Sequence, residues 1–272
     1  MLFSVLRDIA RAGLRRVRSG PEIAPCPVCA DAARFLGAVD ANKSCEDRQR
    51  MLLPAAGRNV RYFLCAGCGF CFAPEFRAWS DRQFKERIYN DDYVLVDPEY
   101  VTLRPGKIAG MVDEIFASVR SRVTHLDFGG GNGLTSRLLC DKGWRSSSYD
   151  HFVDGPDRLA QLSTYDLVTA FEVFEHVVDP RQLMASLSGL THPQSLILFS
   201  TLLSDGHIAR GKGLEWWYLA PRNGHVSLYS RGSLGRLSAA HGFRLLHLNE
   251  GTHVAFSELP DWSRELSIFR GV

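Results

Sequence analysis

The chain of 272 residues lacks several features that would point to specialised protein classes. It has no run of about 18 consecutive apolar residues, so we expect no transmembrane helix. Its seven cysteines are too few for a secreted disulfide scaffold, and its net charge of +2 is too small to indicate nucleic-acid binding. It also lacks internal repeats and low-complexity segments. What remains is the composition of an ordinary globular protein, which we expect in a reducing, cytoplasmic compartment.

The first 20 residues have a basic amphipathic pattern. Apolar side chains recur there at helical spacing, and five arginines stand against the single acid Asp8. We expect a helix that ends near Gly20. It can pack its apolar side on the protein, or it can rest on an anionic membrane surface, so peripheral membrane contact through this helix stays open.

Four of the seven cysteines form two C-x-x-C motifs, Cys26–Cys29 and Cys65–Cys68. Each motif places two thiolates on a tight turn, and two such motifs complete a closed tetrahedral site of four sulfurs. We therefore predict structural zinc bound by Cys26, Cys29, Cys65 and Cys68. Cys71 is a competing ligand candidate because it lies three residues beyond Cys68. A redox role is less favoured, since neither motif opens a helix after a strand.

From about residue 81 the sequence alternates between short apolar strands and helical patterns. The pattern predicts a helix over 108–119. It also predicts four strands, over 123–128, 145–149, 167–171 and 196–201. Such alternation is typical of parallel βαβ units. Two further strand-like runs, 243–249 and 252–256, predict an antiparallel hairpin at the C-terminal edge.

The predicted fold class is therefore α/β. We expect a Rossmann-like, doubly wound and mostly parallel sheet with an antiparallel C-terminal edge hairpin, preceded by a small zinc-ribbon-like module. The corresponding division of the chain is an N-terminal helix over 1–20, a zinc-knuckle module over 21–80 and a cofactor-binding domain over 81–272.

A glycine-rich loop follows the first predicted strand of that domain. Asp127 ends the apolar run, and Gly129, Gly131 and Gly133 follow at alternate positions. Glycines at such a turn allow left-handed backbone and close approach of a ligand. The strict G-x-G-x-x-G pattern fails, which argues against a nicotinamide dinucleotide. Asp150 closes the next strand, where a carboxylate can accept hydrogen bonds from ribose hydroxyls.

These residues resemble class I S-adenosylmethionine-dependent methyltransferases. The run His125-Leu-Asp-Phe-Gly-Gly-Gly-Asn-Gly133 matches their first motif, the run from Tyr165 to Pro180 matches the fourth-strand motif, and residues 191–200 match the stretch into strand five. The resemblance implies S-adenosylmethionine as cofactor. It implies the cofactor-binding residues Asp127, Gly129, Gly131, Gly133, Asp150, His151 and Glu172.

The segment between Asp150 and Tyr165 departs from that pattern, because it is short and lacks a clear third strand with an adenine-contacting acid. Asp154 and Asp157 are candidate substitutes.

The layout also resembles a narrower bacterial group, in which a zinc-knuckle module precedes the methyltransferase domain and some members methylate nucleotide-linked deoxysugars. The matching features are the two cysteine motifs, the linker Ile88–Tyr93 and the late run Gly224–Ser230. This resemblance implies O- or C-methylation of a small acceptor, a sugar or nucleotide-sugar, and no nucleic-acid partner. The alternative is a binding protein whose zinc module grips nucleic acid or a protein and whose cofactor fold is vestigial.

Methyl transfer to a hydroxyl requires a base, and the candidates follow the strand that ends near residue 171. Glu172, Glu175 and His176 can share one face of a helical turn. We predict His176, Glu175 and the distant His225 as catalytic residues, with His176 or His225 as the base. Two alternatives stay open. Glu175 and His176 can simply bind backbone, or Glu172, Glu175, His176 and His225 can hold a divalent cation, as in the similar E-x-x-E-H run of small-RNA 2′-O-methyltransferases and some quinone O-methyltransferases.

Two aromatic segments are candidates for covering the acceptor and the cofactor. Trp216 and Trp217 can stack on a sugar or only anchor their loop, and Tyr89 and Tyr93 can close over the cofactor or only pack.

Overall fold

The computed structural model describes residues 20–49 and 53–269. The helix predicted for residues 1–20 therefore lies outside the described residues, except for Gly20. Within the described ranges, every helix is too short or too polar to span a bilayer.

The described residues form two β-sheets with helices between their strands. The strands are β1 (Ile23–Pro25), β2 (Ala32–Asp40), β3 (Asn59–Cys65), β4 (Cys71–Phe72), β5 (Thr124–Phe128), β6 (Arg145–Tyr149), β7 (Leu167–Ala170), β8 (Leu196–Ser200), β9 (Ser227–Leu228), β10 (Arg244–His247) and β11 (Thr252–Phe256). The α-helices are α1 (Asp81–Arg87), α2 (Tyr93–Val96), α3 (Leu103–Phe116), α4 (Leu134–Asp141), α5 (His151–Asp154), α6 (Pro156–Leu159), α7 (Pro180–Gly189) and α8 (Arg231–Ala240).

The larger sheet has the strand order β10-β11-β8-β7-β5-β6. Its four strands β8, β7, β5 and β6 are parallel, while β11 runs antiparallel to β8 and β10 antiparallel to β11. The parallel strands place their carboxyl ends on one edge, which is where an open α/β sheet binds ligands. The prediction of a mostly parallel sheet with an antiparallel C-terminal hairpin is confirmed.

Helices cover both faces of this sheet, because its central strands are apolar on both sides. Helices α3 and α4 bury Val112, Phe116 and Leu139 against one face. Helices α7 and α8 bury Leu187 and Leu234 against the other. The sheet is therefore doubly wound, as predicted.

Helix α3 begins at Leu103, five residues before the predicted start at Ile108. The reason is Pro105, which stands in the first turn of the helix. Proline is tolerated there because the amide that it lacks has no partner in the first turn of a helix.

The segment from Asp150 to Tyr165 contains only the short helices α5 and α6, so the described residues form no strand beside β6. The sequence shows no clear third strand here, and the described residues form none. Strand β6 is therefore an edge of the sheet.

The smaller sheet is antiparallel, with the order β1-β2-β3-β4-β9. Its last strand, β9, comes from residues 227–228, far beyond the predicted module boundary at residue 80. Cys71 pairs with Leu228 and Phe72 with Ser227. The division at residue 80 stays a prediction, and the sheet crosses it.

Candidate functional site

The glycine loop after β5 has the backbone that its sequence predicts. Gly129, Gly131 and Gly133 have φ values of 78°, 54° and 75°, which side chains disfavour. A Cβ at Gly129 would come within 2.3 Å of Val173 Cγ2, so the loop passes tightly over the chain after β7. At Gly131 a Cβ would meet no described atom within 4 Å. The loop is therefore packed on its inner side and open at its tip.

Two buried polar atoms beneath this loop have no hydrogen-bond partner among the described residues. They are Asp127 Oδ2 and Ser148 Oγ, and both lie close to where a Gly130 Cβ would be. Thr169 Oγ1 donates to the other Asp127 oxygen at 3.1 Å. Burial raises the pKa of Asp127 to about 6. Orphaned polar atoms are costly in a finished core, so this cradle suits a polar ligand such as S-adenosylmethionine.

Asp150 lies at the carboxyl end of β6, directly beside the loop tip. The amide of Gly131 donates to its Oδ2 at 3.1 Å, and the amides of Phe152 and Val153 donate to its Oδ1 at 2.8 and 3.2 Å. The carboxylate thus caps helix α5 and faces the glycine loop at once. This is the position that a ribose-binding acid requires.

His151, predicted beside Asp150 as a cofactor residue, turns the other way. Its Nε2 lies 2.9 Å from Asp81 Oδ2 at the start of helix α1. Its cofactor role therefore stays a prediction that these contacts do not support.

A cavity of about 210 Å³ lies beyond the ends of β7 and β8. Glu172 and Ser200 border it from the main sheet, and Arg104 borders it from helix α3. His225 and Trp217 border it from the segment between β8 and β9. The cavity therefore lies next to the cofactor edge of the sheet, where an acceptor has to bind.

Glu172 does not share a helical face with Glu175 and His176, which corrects the expectation. Its φ of 55° is left-handed, and the chain becomes a 3₁₀ helix only over Phe174–His176. The hydroxyl of Ser200 accepts from the Glu172 amide at 3.0 Å and donates to its Oε1 at 3.3 Å. Glu172 is thereby held at the rim of the cavity instead of joining the two others.

Glu175, His176 and His225 do come together, although His225 is remote in sequence. Their ligand atoms all lie within 4.8 Å of one another. The Nδ1 of His225 lies 2.8 Å from the carbonyl oxygen of Tyr218, and the Nδ1 of His176 lies 3.1 Å from Tyr89 Oη. Because Nδ1 of each ring already has a partner, the Nε2 atoms are the ones left for chemistry.

Burial keeps this group of side chains uncharged. It raises the pKa of Glu175 to about 8, with a further rise from the Glu172 carboxylate and partial lowering by the Tyr218 hydroxyl. It lowers the pKa of His225 to about 4 and that of His176 well below its ordinary value. Both histidines are therefore unprotonated at neutral pH, as a base or a metal ligand must be.

The carboxylate of Glu175 is fully buried, and neither of its oxygens has a hydrogen bond of normal geometry among the described residues. A buried carboxyl group without donors costs several kcal/mol if it ionises. It is thus either protonated or balanced by something outside the protein chain.

Three polar residues at the cavity are not among the predicted site residues. They are Asp97, Arg104 and Asn223. Arg104 forms a paired ion contact with Asp97, at 2.6 and 2.7 Å, and reaches Glu172 Oε2 at 3.9 Å. Asn223 is buried and its amide nitrogen donates to the carbonyl of Val96 at 2.9 Å. An arginine near a helix start and an Asn-Gly pair are common in loops, so only the fold distinguishes these.

The aromatic candidates divide between packing and lining. Trp216 is buried and stacks on His207 with ring centroids 4.8 Å apart, so it anchors its loop. Trp217 lines the cavity. Tyr93 is buried and donates to the carbonyl of Asn223 at 3.3 Å, while Tyr89 contacts His176.

The four predicted zinc ligands lie in one cluster beside the small sheet. Their sulfurs are all within 4.8 Å of one another, with Cys26–Cys68 at 3.6 Å and Cys29–Cys65 at 3.5 Å. Zinc–sulfur bonds of about 2.3 Å put tetrahedral sulfurs about 3.8 Å apart, so the spacing suits zinc. A disulfide would need a far shorter distance.

The other candidate, Cys71, is not part of this cluster. It is buried in β4, and burial raises the pKa of its thiol. Within the cluster the adjacent Cys68 thiol lowers the pKa of Cys26 to about 5, and burial raises that of Cys29 to about 11. Adjacent sulfurs resist joint ionisation without a cation, which bound zinc would supply.

We predict that Asp150→Asn weakens binding of S-adenosylhomocysteine at least about tenfold, since a hydrogen bond to a charged group contributes about 1.5–3 kcal/mol. Asparagine is as good a helix cap as aspartate, so helix α5 is retained. The measurement is calorimetric titration. Asp179→Asn is the matched control, because Asp179 caps helix α7 in the same way by accepting from the Gln182 amide at 3.1 Å. Equal affinities in the two variants would contradict the assignment of Asp150.

Curated relatives match only part of this chain. The ubiquinone biosynthesis O-methyltransferase of Colwellia psychrerythraea is 32% identical over 93 residues, which are 34% of this chain and 38% of that protein. The malonyl-[acyl-carrier protein] O-methyltransferase of Porphyromonas gingivalis is 25% identical over 113 residues, 35% of this chain and 44% of that protein. The chain thus spans less than half the length of these relatives.

Solved structures resemble the chain at low identity. An O-methyltransferase family protein from Burkholderia thailandensis has a TM-score of 0.48 and 13% identity, covering 66% of this chain and 64% of its own. The 1,6-didemethyltoxoflavin-N1-methyltransferase of the same organism has a TM-score of 0.43 and 15% identity, covering 68% and 93%.

The family comparison matches the stretch of the chain that contains the site. A family model described as a methyltransferase domain matches residues 100–248, from just before helix α3 to just beyond β10. The match includes the glycine loop, Asp150 and the cavity residues Glu172 and His225. Because it covers more than half of the chain, the protein belongs to this methyltransferase family.

Proposed function

We propose that the protein transfers a methyl group from S-adenosylmethionine to a hydroxyl group of a small, sugar-like acceptor. The observation that carries this proposal is the cavity of about 210 Å³, which lies between Glu172 at the cofactor edge and the unprotonated His225. S-adenosylmethionine, when bound, supplies an electrophilic methyl group. The protein has to position the acceptor and remove its proton.

In this mechanism the base is His225 rather than His176. Both histidines are unprotonated, but only His225 borders the cavity. Its Nδ1 proton is donated to the carbonyl of Tyr218, so Nε2 carries the free lone pair. Nε2 accepts the proton of the acceptor hydroxyl as the oxygen attacks the methyl carbon.

The lining of the cavity supports a hydroxyl-rich acceptor. Glu46, Asp97 and Glu172 offer carboxylate oxygens, which accept hydrogen bonds from hydroxyl groups. Trp217 offers an aromatic face of the kind that sugars and flat rings stack on.

The proposal is tested by incubating the purified protein with S-adenosylmethionine and a panel of nucleotide-linked sugars and free sugars. We expect one acceptor class to gain the mass of one methylene group, detected by mass spectrometry. His225→Asn is the matched variant, because the asparagine amide can still donate to the Tyr218 carbonyl while Nε2 is lost. We expect kcat to fall about 10²- to 10⁴-fold with unchanged affinity for S-adenosylhomocysteine.

Binding of the cofactor without methylation of any acceptor in the panel would refute the sugar-like acceptor. Full activity of His225→Asn would refute its role as the base. Failure to bind S-adenosylmethionine would favour the alternative of a binding protein with a vestigial cofactor fold.

A divalent cation held by Glu175, His176 and His225 is the competing way to activate the hydroxyl. Two imidazoles and one carboxylate form a common site for divalent transition metals. The full burial of the Glu175 carboxylate favours this arrangement, because a cation would balance its charge. Glu172, which was grouped with these ligands from the sequence, lies outside the cluster.

If the cation is bound, zinc-loaded protein takes up one further equivalent of Mn²⁺ or Co²⁺ in a calorimetric titration. Glu175→Gln, which keeps the shape but removes the charge, then weakens that binding at least about tenfold. Glu172→Gln is the control and leaves it unchanged. Absence of any binding beyond zinc would leave His225 as a free base.

We also propose that Cys26, Cys29, Cys65 and Cys68 bind one structural zinc ion. Four sulfurs leave no open coordination position, so the metal takes no part in the chemistry. The two C-x-x-C motifs lie just before β2 and at the end of β3. Short strands in a small sheet have little stability of their own, so bound zinc would stabilise this sheet.

We predict that Cys26→Ser lowers the zinc content from one equivalent to nearly none and speeds amide exchange across β2 and β3. Removing one of four ligands leaves an incomplete site, so bound zinc no longer stabilises the hairpin. Zinc is measured by atomic emission after gel filtration. Cys71→Ala, which alters a buried thiol outside the cluster, is expected to keep its zinc. A full zinc content in Cys26→Ser would contradict the ligand assignment.

A further inference from the structure

We propose that residues 41–47, here named the hairpin loop, form one wall of the acceptor cavity, and that Lys43 and Tyr62 are positioning residues for His225. The zinc module would then hold the segment that carries His225 in place on the acceptor side of the site. The description of this cavity as the acceptor site rests on the proposed function.

Lys43 ties the hairpin loop to the segment that carries His225. Its Nζ donates to the carbonyl oxygens of Trp216 and Leu219 at 2.8 and 2.6 Å. In return, the amide of Arg222 donates to the Lys43 carbonyl at 3.1 Å. Both carbonyl groups lie before the 3₁₀ helix Pro221–Asn223, and an ammonium group has enough donors to bind both at once. These three bonds hold the two segments together over more than 170 positions of sequence.

The next residues of the hairpin loop reach the cavity itself. The amide of Cys45 donates to Asn223 Oδ1 at 2.8 Å, and the Cys45 sulfur lies 3.8 Å from His225 Nδ1. Cys45 and Glu46 line the cavity together with His225. Part of the cavity wall therefore comes from the predicted zinc module, beside the wall residues of the methyltransferase domain.

Tyr62 forms a second, independent connection. This residue of β3 is fully buried, and its hydroxyl donates to the backbone carbonyl of His225 at 2.7 Å. Strand β3 continues for three residues to Cys65, one of the four clustered cysteines. Backbone that holds His225 is thus bonded to the same strand that the cysteine cluster holds.

The hairpin of β2 and β3 has the cysteine cluster at one end and the hairpin loop at the other. Its pairing runs from Ala33–Cys65 to Asp40–Asn59. A paired stretch of this length spans roughly 20–25 Å, so zinc cannot touch the acceptor. It can, however, fix the hairpin and through it the hairpin loop. Such coupling acts in both directions, so loosening the loop should also weaken zinc binding.

The test uses the full, zinc-loaded chain and the variant Lys43→Met, which keeps the length of the side chain and removes its charge. Lys212→Met is the matched control, since Lys212 Nζ also donates to a backbone carbonyl, that of Gly206. Hydrogen exchange is measured over residues 216–226 and over the glycine loop, residues 124–149. Zinc affinity is measured by competition with a chelator, and cofactor-side integrity by titration with S-adenosylhomocysteine.

We expect Lys43→Met to speed exchange over 216–226 about tenfold, because buried hydrogen bonds from a charged donor are lost. Zinc affinity should fall several-fold, while exchange over 124–149 and affinity for S-adenosylhomocysteine stay unchanged. Lys212→Met should leave exchange over 216–226, zinc affinity and affinity for S-adenosylhomocysteine unchanged. If Lys43→Met does not fold, Tyr62→Phe removes a single hydroxyl group and is expected to give the same pattern.

Unchanged exchange over 216–226 in both Lys43→Met and Tyr62→Phe would overturn the proposal. Equal loosening of 124–149 would also overturn it, since that result describes general destabilisation. No acceptor is needed for these readouts, so they remain decisive if the acceptor screen fails. Conversely, methylation of a sugar by a protein without this coupling would refute the positioning roles and keep the proposed function.

Discussion

The segment from Trp216 to Tyr229 is hydrogen-bonded on two sides, and the geometry of the site depends on that double attachment. Towards the small sheet, Lys43 and Tyr62 bind its carbonyls and β9 pairs with β4. Towards the main sheet, the Val226 amide donates to the Glu175 carbonyl at 2.9 Å. A two-residue strand has little stability alone. The segment from Trp216 to Tyr229 is fixed because the small sheet and the main sheet each bind part of its backbone hydrogen-bonding groups.

Electrostatics explain why the polar groups at this junction can be buried. Glu175 has its pKa raised and the two histidines have theirs lowered, so none of the three needs to carry a charge in the core. Charged groups stand at the cavity rim instead, where Arg104 is paired with Asp97. The buried part of the site is therefore neutral and its rim is charged, which is the arrangement that the proposed removal of a hydroxyl proton requires.

The sequence predicted the parts whose signal is local. Strands β5 to β8 were expected within one residue at each end, because short strand-like runs alternate there with helical patterns. The glycine loop followed from its own spacing, and the four cysteines from theirs. The start of α3 was predicted too late, because Pro105 imitates a helix boundary. Lys43 was not found at all, since its partners Trp216 and Leu219 lie more than 170 positions away and no short pattern encodes such contacts.

Gly224 shows how one backbone position makes the meeting of these elements possible. Its φ is 87°, and a Cβ there would lie 2.9 Å from Tyr89 Oη and 3.0 Å from His176 Nδ1. Any other residue would therefore be strained and would press on the contact between those two side chains. Because His225 follows directly, the turn at Gly224 sets the direction in which its imidazole points. The Asn-Gly-His run is thus a conformational requirement of the site: the amide side chain joins three segments, the glycine turns tightly, and the histidine reaches the cavity.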